Sequence, residues 1–393
     1  MNTLNIGKLT LSLMVGLALT ACGGQKQGGD STAASGDNEI VIGFAAPLTG
    51  PQSHYGEEYR NGAQLAIDEA NAQKLTVNGK PATFKLMAED DAADPKQATQ
   101  VAERFIDAKV AGVIGHFNSG TAIPASKIYE DNQIPNIAMA TSPTLSAQGF
   151  KYVFRSMTSD SQQGTVLGKY AVEKLGYKKI AIIDDRTAYG QGLADEFEKS
   201  AKAAGATILP RQFTNDKASD FQSILTSFKT EQPDVIFYGG ADTQSAPMIK
   251  QIRRLGIKSP FISGEMTKTP TFLTVAGPDA EGVFTSLAGF PLDKMPKGKE
   301  YETKYKAKYN QDVATYSPYG YDATWAMITA MKQANSSKAA DYLAKLQAMD
   351  LDGVTSQHFS YDAKGDLKDV AITVYKAEKG KWVPVDSIST GSK

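Results

Sequence analysis

Across 393 residues the chain has one cysteine, two tryptophans and three histidines. With Cys22 alone, no internal disulfide framework can form, so an apolar core must hold the fold. His54, His116 and His358 are far apart in sequence and make no recognisable metal-ligand spacing, so no metal is expected. His116, beside a strand end, reads as a structural hydrogen-bonder. An excess of one charge is missing as well: 42 Lys and Arg stand against 43 Asp and Glu, a formal charge of −1. Nothing in that balance points to nucleic acid as a partner. After the N-terminal segment no second long apolar run appears, and the body is expected to be soluble. A Walker loop and a Gly-x-Ser-x-Gly elbow are also missing. Gly190-Gln191-Gly192 has Asp195 where a dinucleotide loop needs its third glycine. Neither a cofactor nor an enzymatic activity is therefore expected.

What is present starts at the N-terminus. Lys8 precedes an apolar run over 9–19, too short to span a bilayer but suited to the core of a secretory signal. Leu19-Thr20-Ala21-Cys22 resembles the lipobox of bacterial lipoproteins, with small residues at the cleavage site and Cys22 as the lipid acceptor. Residues 1–21 then form a signal peptide. Residues 22–38, rich in Gly, Ser, Ala and Gln, form a flexible tether. The expected location is the periplasmic side of a bacterial envelope, anchored to a membrane through Cys22. By resemblance to Gram-negative lipoproteins, Gly23 permits outer-membrane sorting.

The remaining chain is long enough for two compact domains. Strand patterns at 39–46, 84–89, 112–115, 179–184, 207–209 and 235–238 alternate with helical patterns. The helices are read at 56–72, from Asp94-Pro95 onward, and at 120–131, 161–175, 190–204 and 219–229. Asp94 is a capping residue and Pro95 suits a first helical position. Such alternation argues for βαβ units and parallel sheets covered by helices on both faces. After Phe290 the pattern turns helical (297–308, 317–334, 338–348) and ends in strands at 370–375 and 382–385.

Open α/β sheets hold ligands beyond the carboxyl ends of their strands. In Gly115-His116-Phe117-Asn118-Ser119-Gly120-Thr121 a strand runs into a helix start, whose free N–H groups favour an anion. Ser119 can add a donor there, or simply cap its own helix. Ala140-Thr141-Ser142-Pro143 is a second edge of this kind, where Thr141 serves a carboxylate or an ammonium, or a turn. Glu265 follows the strand Pro260-Phe261-Ile262 and can pair with an ammonium or be merely solvated. Asp184-Asp185 reads as a loop or helix-start feature.

Several strings, in order, carry a resemblance. They include Leu48-Thr49-Gly50-Pro51 with Tyr55-Gly56; Asp90-Asp91-Ala92-Ala93-Asp94-Pro95; and Val113-Ile114-Gly115-His116. Tyr189-Gly190-Gln191-Gly192, Tyr238-Gly239-Gly240 and residues 362–368 follow. Over residues 39–385 the chain resembles the periplasmic leucine/isoleucine/valine-binding proteins of ABC transporters. The resemblance implies an α/β fold of two doubly wound parallel-sheet domains joined by a multi-strand hinge, the type I periplasmic binding protein fold. Domain 1 would comprise 39–159 and 289–368, domain 2 160–288 and 369–385, with a tail at 386–393.

It further implies a free amino acid as ligand, most simply leucine, isoleucine or valine, and ABC transporter permease subunits as partners of a monomer. Ser119 and Thr141 would bind the α-carboxylate; Thr141, Glu265 and a backbone carbonyl near Met139 would bind the α-ammonium. Tyr55, Phe117, Tyr189 and Tyr316 would surround the side chain, with Asn118, Ala140 and Ala241 completing the set. The sequence departs from the family at Ala93 and Asn118, where a disulfide would be, at Ala241, which replaces an aromatic, and at Met139. Phe117 and Met139 argue for an apolar ligand, whereas Asn118 and Asp242 admit a polar one. A receptor for a polar amino acid or amide, and an anchored sensor without a transport role, stay open as alternatives.

Overall fold

The computed structural model describes residues 38–368 and 370–390. The signal segment, Cys22, the tether through residue 37 and residues 391–393 lie outside them. Asn38, read from sequence as tether, belongs to the folded body: its side-chain amide donates to the carbonyl of Val77 at 2.7 Å, and also to those of Lys80 and Pro81.

The first sheet starts with β1 (Glu39–Ala46), whose Ile, Val and Phe residues suit a strand buried on both faces. Helix α1 (Ser53–Ala72) leads to β2 (Thr83–Asp90), which pairs parallel with β1 from Glu39↔Thr83 to Ala46↔Asp90. Helix α2 (Pro95–Asp107) begins where the sequence announces it: the Asp94 carboxylate accepts the N–H groups of Lys96 and Gln97, both at 2.9 Å. Then come β3 (Val113–Gly115), α3 (Ser119–Asp131), β4 (Asn136–Ala138), α4 (Pro143–Ala147) and β5 (Val153–Arg155). The strand order is β2-β1-β3-β4-β5, all parallel.

The chain now crosses to a second sheet. Helix α5 (Asp160–Lys169) opens on a reciprocal cap between Ser159 and Gln162 and runs into a π turn at Tyr170–Lys174. There follow β6 (Lys179–Asp184), α6 (Ala188–Ala203), β7 (Thr207–Ile208), β8 (Gln212–Phe213), α7 (Gln222–Glu231), β9 (Val235–Gly239), α8 (Asp242–Arg254), β10 (Phe261–Ser263), α9 (Pro270–Ala276) and β11 (Phe284–Ala288). These strands run parallel in the order β8-β6-β9-β10-β11, with β7 also on β6.

Helices α10 (Gly298–Tyr309), α11 (Ser317–Ala334) and α12 (Ala339–Gln347) return to the first lobe. There α11 lies so close to α1 that a Cβ on Gly62 would stand 1.9 Å from the Ser317 carbonyl oxygen. A last crossing brings β12 (Ala371–Glu378) and β13 (Lys381–Ser389) antiparallel onto β11, so the second sheet is mixed. Strand β13 continues through residues that sequence reading assigned to a tail: Ser389 pairs with Ala371, and the Thr390 N–H reaches the Val370 carbonyl at 2.9 Å. The backbone ladder simply outlasts the apolar pattern by which the strand end was read.

Two doubly wound lobes joined by three crossings result. In each sheet the first strand has neighbours reached from opposite directions: β1 lies between β2 and β3, and β6 between β8 and β9. That reversal leaves a crevice at the carboxyl ends of the strands. The loops after β1, β3, β6 and β9 therefore converge between the lobes. None of the helices among the described residues is long and apolar enough to cross a membrane.

Candidate functional site

A small cavity between the lobes is lined by Phe117, Asn118, Ser119, Met139, Thr141 and Tyr316 from the first lobe, Met157 from the first crossing, and Tyr189, Glu265 and Met266 from the second lobe. Eight of the residues singled out from sequence thus meet at one place. Tyr55 stands directly behind: its ring stacks on Phe117 at 5.5 Å, and Tyr316 meets both edge-on, at 4.9 Å from Phe117 and 5.7 Å from Tyr55. Two others do not reach this cavity. Ala140 is turned away, its carbonyl accepting a guanidinium N–H of Arg155. Ala241 lines a wider adjoining pocket with Gln52, Asn118, Asp185, Asn215 and Asp216.

One end of the cavity suits an anion. Asn118 precedes α3 but makes no side-chain cap; its amide donates instead to Gln52 at 2.7 Å. Ser119 does not cap either: its hydroxyl oxygen accepts the Ser142 N–H at 3.1 Å, which ties α3 to the turn that carries Thr141. The N-terminus of α3, a polar hydroxyl and the start of α4 thus face one space, with partial positive charge directed into it.

The other end is acidic. Glu265 starts a 3₁₀ turn (Glu265–Thr267) after β10 and is buried. Its Oε2 accepts the Tyr189 hydroxyl at 2.8 Å and the Gln163 amide at 2.5 Å. Behind it lies Asp160, fully buried at the first position of α5, accepting the Thr141 hydroxyl at 3.0 Å and the Gln163 amide at 3.3 Å. The Gln163 carbonyl oxygen is held by Ser286 at 2.9 Å. Burial, and next the charge of Glu265, push the Asp160 carboxyl well up; burial likewise raises Glu265. The nearest cation, Arg155, is committed to Asp366 at 2.7 Å and to the Ala140 and Ser142 carbonyls. Tyr189, raised by burial and by Glu265, stays a protonated donor.

The other singled-out polar residues have structural partners. His116 is buried between Asp91, at 2.7 Å from Nδ1, and the Tyr129 hydroxyl, at 2.9 Å from Nε2. Asp184 pairs with Arg211 at 2.6 Å. Asp185, which burial pushes up to about 6, accepts the Thr187 N–H and hydroxyl and so fixes the loop before α6. Among the described residues no cluster of His, Cys, Asp and Glu could hold a metal. Sequence reading missed Asp160, Gln163, Met157 and Met266. An acid at a helix start reads as a dipole partner, and nothing local ties Gln163 to Glu265, 102 residues on.

Comparison with known proteins adds an independent line. The family described as periplasmic binding protein matches residues 39–381. The chain is 34% identical to a Leu/Ile/Val-binding protein homolog 1 of Brucella suis, over 87% of this chain and 91% of the relative. It is 30% identical to the leucine-, isoleucine-, valine-, threonine- and alanine-binding protein of Pseudomonas aeruginosa, over 86% and 90%. The crystal structure of a branched-chain amino acid transporter substrate binding protein from Streptococcus pneumoniae, in complex with isoleucine, superposes with a TM-score of 0.80. It shares 26% identity and covers 89% of this chain and 99% of that one.

Proposed function

The chain belongs to the periplasmic binding protein family, and from that premise we propose that it is the solute receptor of an ABC importer, holding a free amino acid between its two lobes. The observation that carries this reading is Glu265. It is a buried carboxylate with a second one behind it, facing an uncapped helix N-terminus across an aromatic-walled cavity. Such a site is bipolar, and a zwitterion matches both ends in charge.

Ser119, Thr141 and the N-terminus of α3 take the α-carboxylate; Glu265, with Thr141 beside it, takes the α-ammonium. The side chain lies against Phe117, Tyr316, Met139, Met157 and Met266, with Tyr55 and Tyr189 closing the wall. Each charge-assisted hydrogen bond contributes about 1.5–3 kcal/mol, and burial of an aliphatic side chain about 1.5–3 kcal/mol. Against ordering costs, that sum reaches the roughly −8.2 kcal/mol of micromolar binding. No chemical change of the ligand is required. The apolar wall, the name of the Brucella suis relative and the isoleucine in the Streptococcus pneumoniae structure favour leucine, isoleucine or valine.

A second reading has its own support. The adjoining pocket around Ala241 carries the polar side chains of Gln52, Asn118, Asn215 and Asp216 in its wall, which suit the end of a polar amino acid or an amide. In either case the receptor works as a monomer, tethered through lipid on Cys22 on the periplasmic side, and delivers to permease subunits. An anchored sensor would use the same site. The test is mass spectrometry of the small molecule released when the purified protein is denatured. Leucine, isoleucine or valine, recovered unchanged, is the expected result. A polar amino acid or amide would favour the second reading, and a ligand lacking an α-amino acid head would overturn both.

A further inference from the structure

Beside the cavity, hydrogen bonds join the lobes along one mouth of the cleft, where His54, Tyr55, Thr269, Thr315 and Tyr316 line a common pocket. There the segment that carries Glu265 is clasped from the first lobe by hydroxyl groups donating to three of its backbone carbonyls. Tyr316 donates to the Glu265 carbonyl at 3.1 Å, Tyr55 to that of Met266 at 2.6 Å, and Thr315 to that of Lys268 at 2.8 Å. The Lys268 ammonium returns a bond to the Ala314 carbonyl at 3.3 Å. In the same mouth His54 Nε2, on α1, lies 2.9 Å from Asp242 Oδ2, on α8. The Tyr55 hydroxyl links the two contacts by also accepting the Asp242 N–H at 3.1 Å.

We propose that His54 and Thr315 are positioning residues that latch the lobes together over the bound ligand. This rests on the reading that the cleft holds an amino acid. Tyr55 and Tyr316 belong to the binding site itself; His54 and Thr315 do not line the cavity.

What makes these two residues a latch is that each contact is prepared within its own lobe. Asp242 is fixed in the second lobe by the Thr269 hydroxyl at 2.5 Å. Thr315 is fixed in the first by Glu58, whose Oε1 accepts the N–H groups of Ala314 and Thr315 at 3.0 and 2.6 Å. Little conformational freedom is then lost when the lobes meet, so the contacts favour the closed form. The Asp242 side chain is fully buried while that of His54 stays 28% exposed. Removing His54 leaves a carboxylate buried in the closed form with one partner fewer, and closure is penalised. Thr315 acts on the backbone of the Glu265 turn, so losing its hydroxyl loosens the ammonium site from outside.

The experiment is stopped-flow binding of leucine to the full-length protein, to His54→Ala and to Thr315→Val, beside thermal unfolding of each without ligand. A latch predicts faster ligand release, about tenfold for His54→Ala and about threefold for Thr315→Val. Association rates should stay within about twofold, and ligand-free unfolding midpoints should not move. Wild-type protein that binds leucine alongside variants with unaltered release would sink the latch alone. Faster release accompanied by a matching fall in the ligand-free midpoint would assign these residues an ordinary structural role. Wild-type protein indifferent to leucine, isoleucine and valine would remove the ligand reading, and the latch with it.

Discussion

At the scale of single residues the proposed recognition turns on Glu265. Its carboxylate is buried, doubly hydrogen-bonded and backed by Asp160, so an ammonium placed against it relieves a repulsion that water cannot screen. Glu265→Gln should weaken amino-acid binding by about 3 kcal/mol, or more than a hundredfold, measured by calorimetry. A pH dependence follows with a definite sign. In the ligand-free protein both acids are held above their ordinary range. Stability from holding them protonated is present below the usual carboxylate range and is lost as pH rises through the raised values. An ammonium lowers those values, so binding expels a proton. Affinity should fall as pH is lowered, and the binding heat should change with the ionisation enthalpy of the buffer. Heat independent of buffer at every pH above the ordinary carboxylate range would contradict the raised pair.

Elements deliver these residues. The Asp94 cap does not line the cavity and can be tested for stability alone, whereas the close contact of α1 with α11 falls at Ser317, beside Tyr316 of the cavity wall. Asp94→Ala should cost about 1 kcal/mol in urea unfolding, and Gly62→Ala about 1–3 kcal/mol by forcing α1 off Ser317. Asp94→Ala should leave leucine affinity unchanged, whereas Gly62→Ala, which shifts the residue beside Tyr316, should lower it as well; an unchanged affinity in Gly62→Ala would mean that Tyr316 is held independently of Ser317. The cap was legible in the sequence because an Asp-Pro pair acts on its own backbone. So were β1 and β6; strand ends followed by polar residues also marked Ser119, Thr141 and Glu265 as candidates, and the fold brings the three to one cavity. Helix α8, with Pro247 inside it, and the short strands β4, β5 and β11 were not read: a proline interrupts the first, and the strands are brief and almost wholly buried. Asp160 and Gln163 were illegible for another reason: their meaning comes from Glu265, far along the chain. Ala241 was read as part of the site but faces the adjoining pocket instead.

At the scale of the whole molecule, two lobes meet on a cleft and three crossings leave them free to hinge. An amino acid that contacts Ser119 and Thr141 from one lobe and Glu265 from the other favours the closed arrangement by differential affinity alone. X-ray scattering should record a smaller radius of gyration with saturating leucine than without it; identical profiles would argue against closure. The most direct measurement is calorimetric titration of the full-length protein, stripped of ligand by unfolding and refolding, with leucine, isoleucine and valine. The account predicts one site per chain, micromolar or tighter, lost in Glu265→Gln. A folded protein that gives no binding heat with any of the three would contradict it.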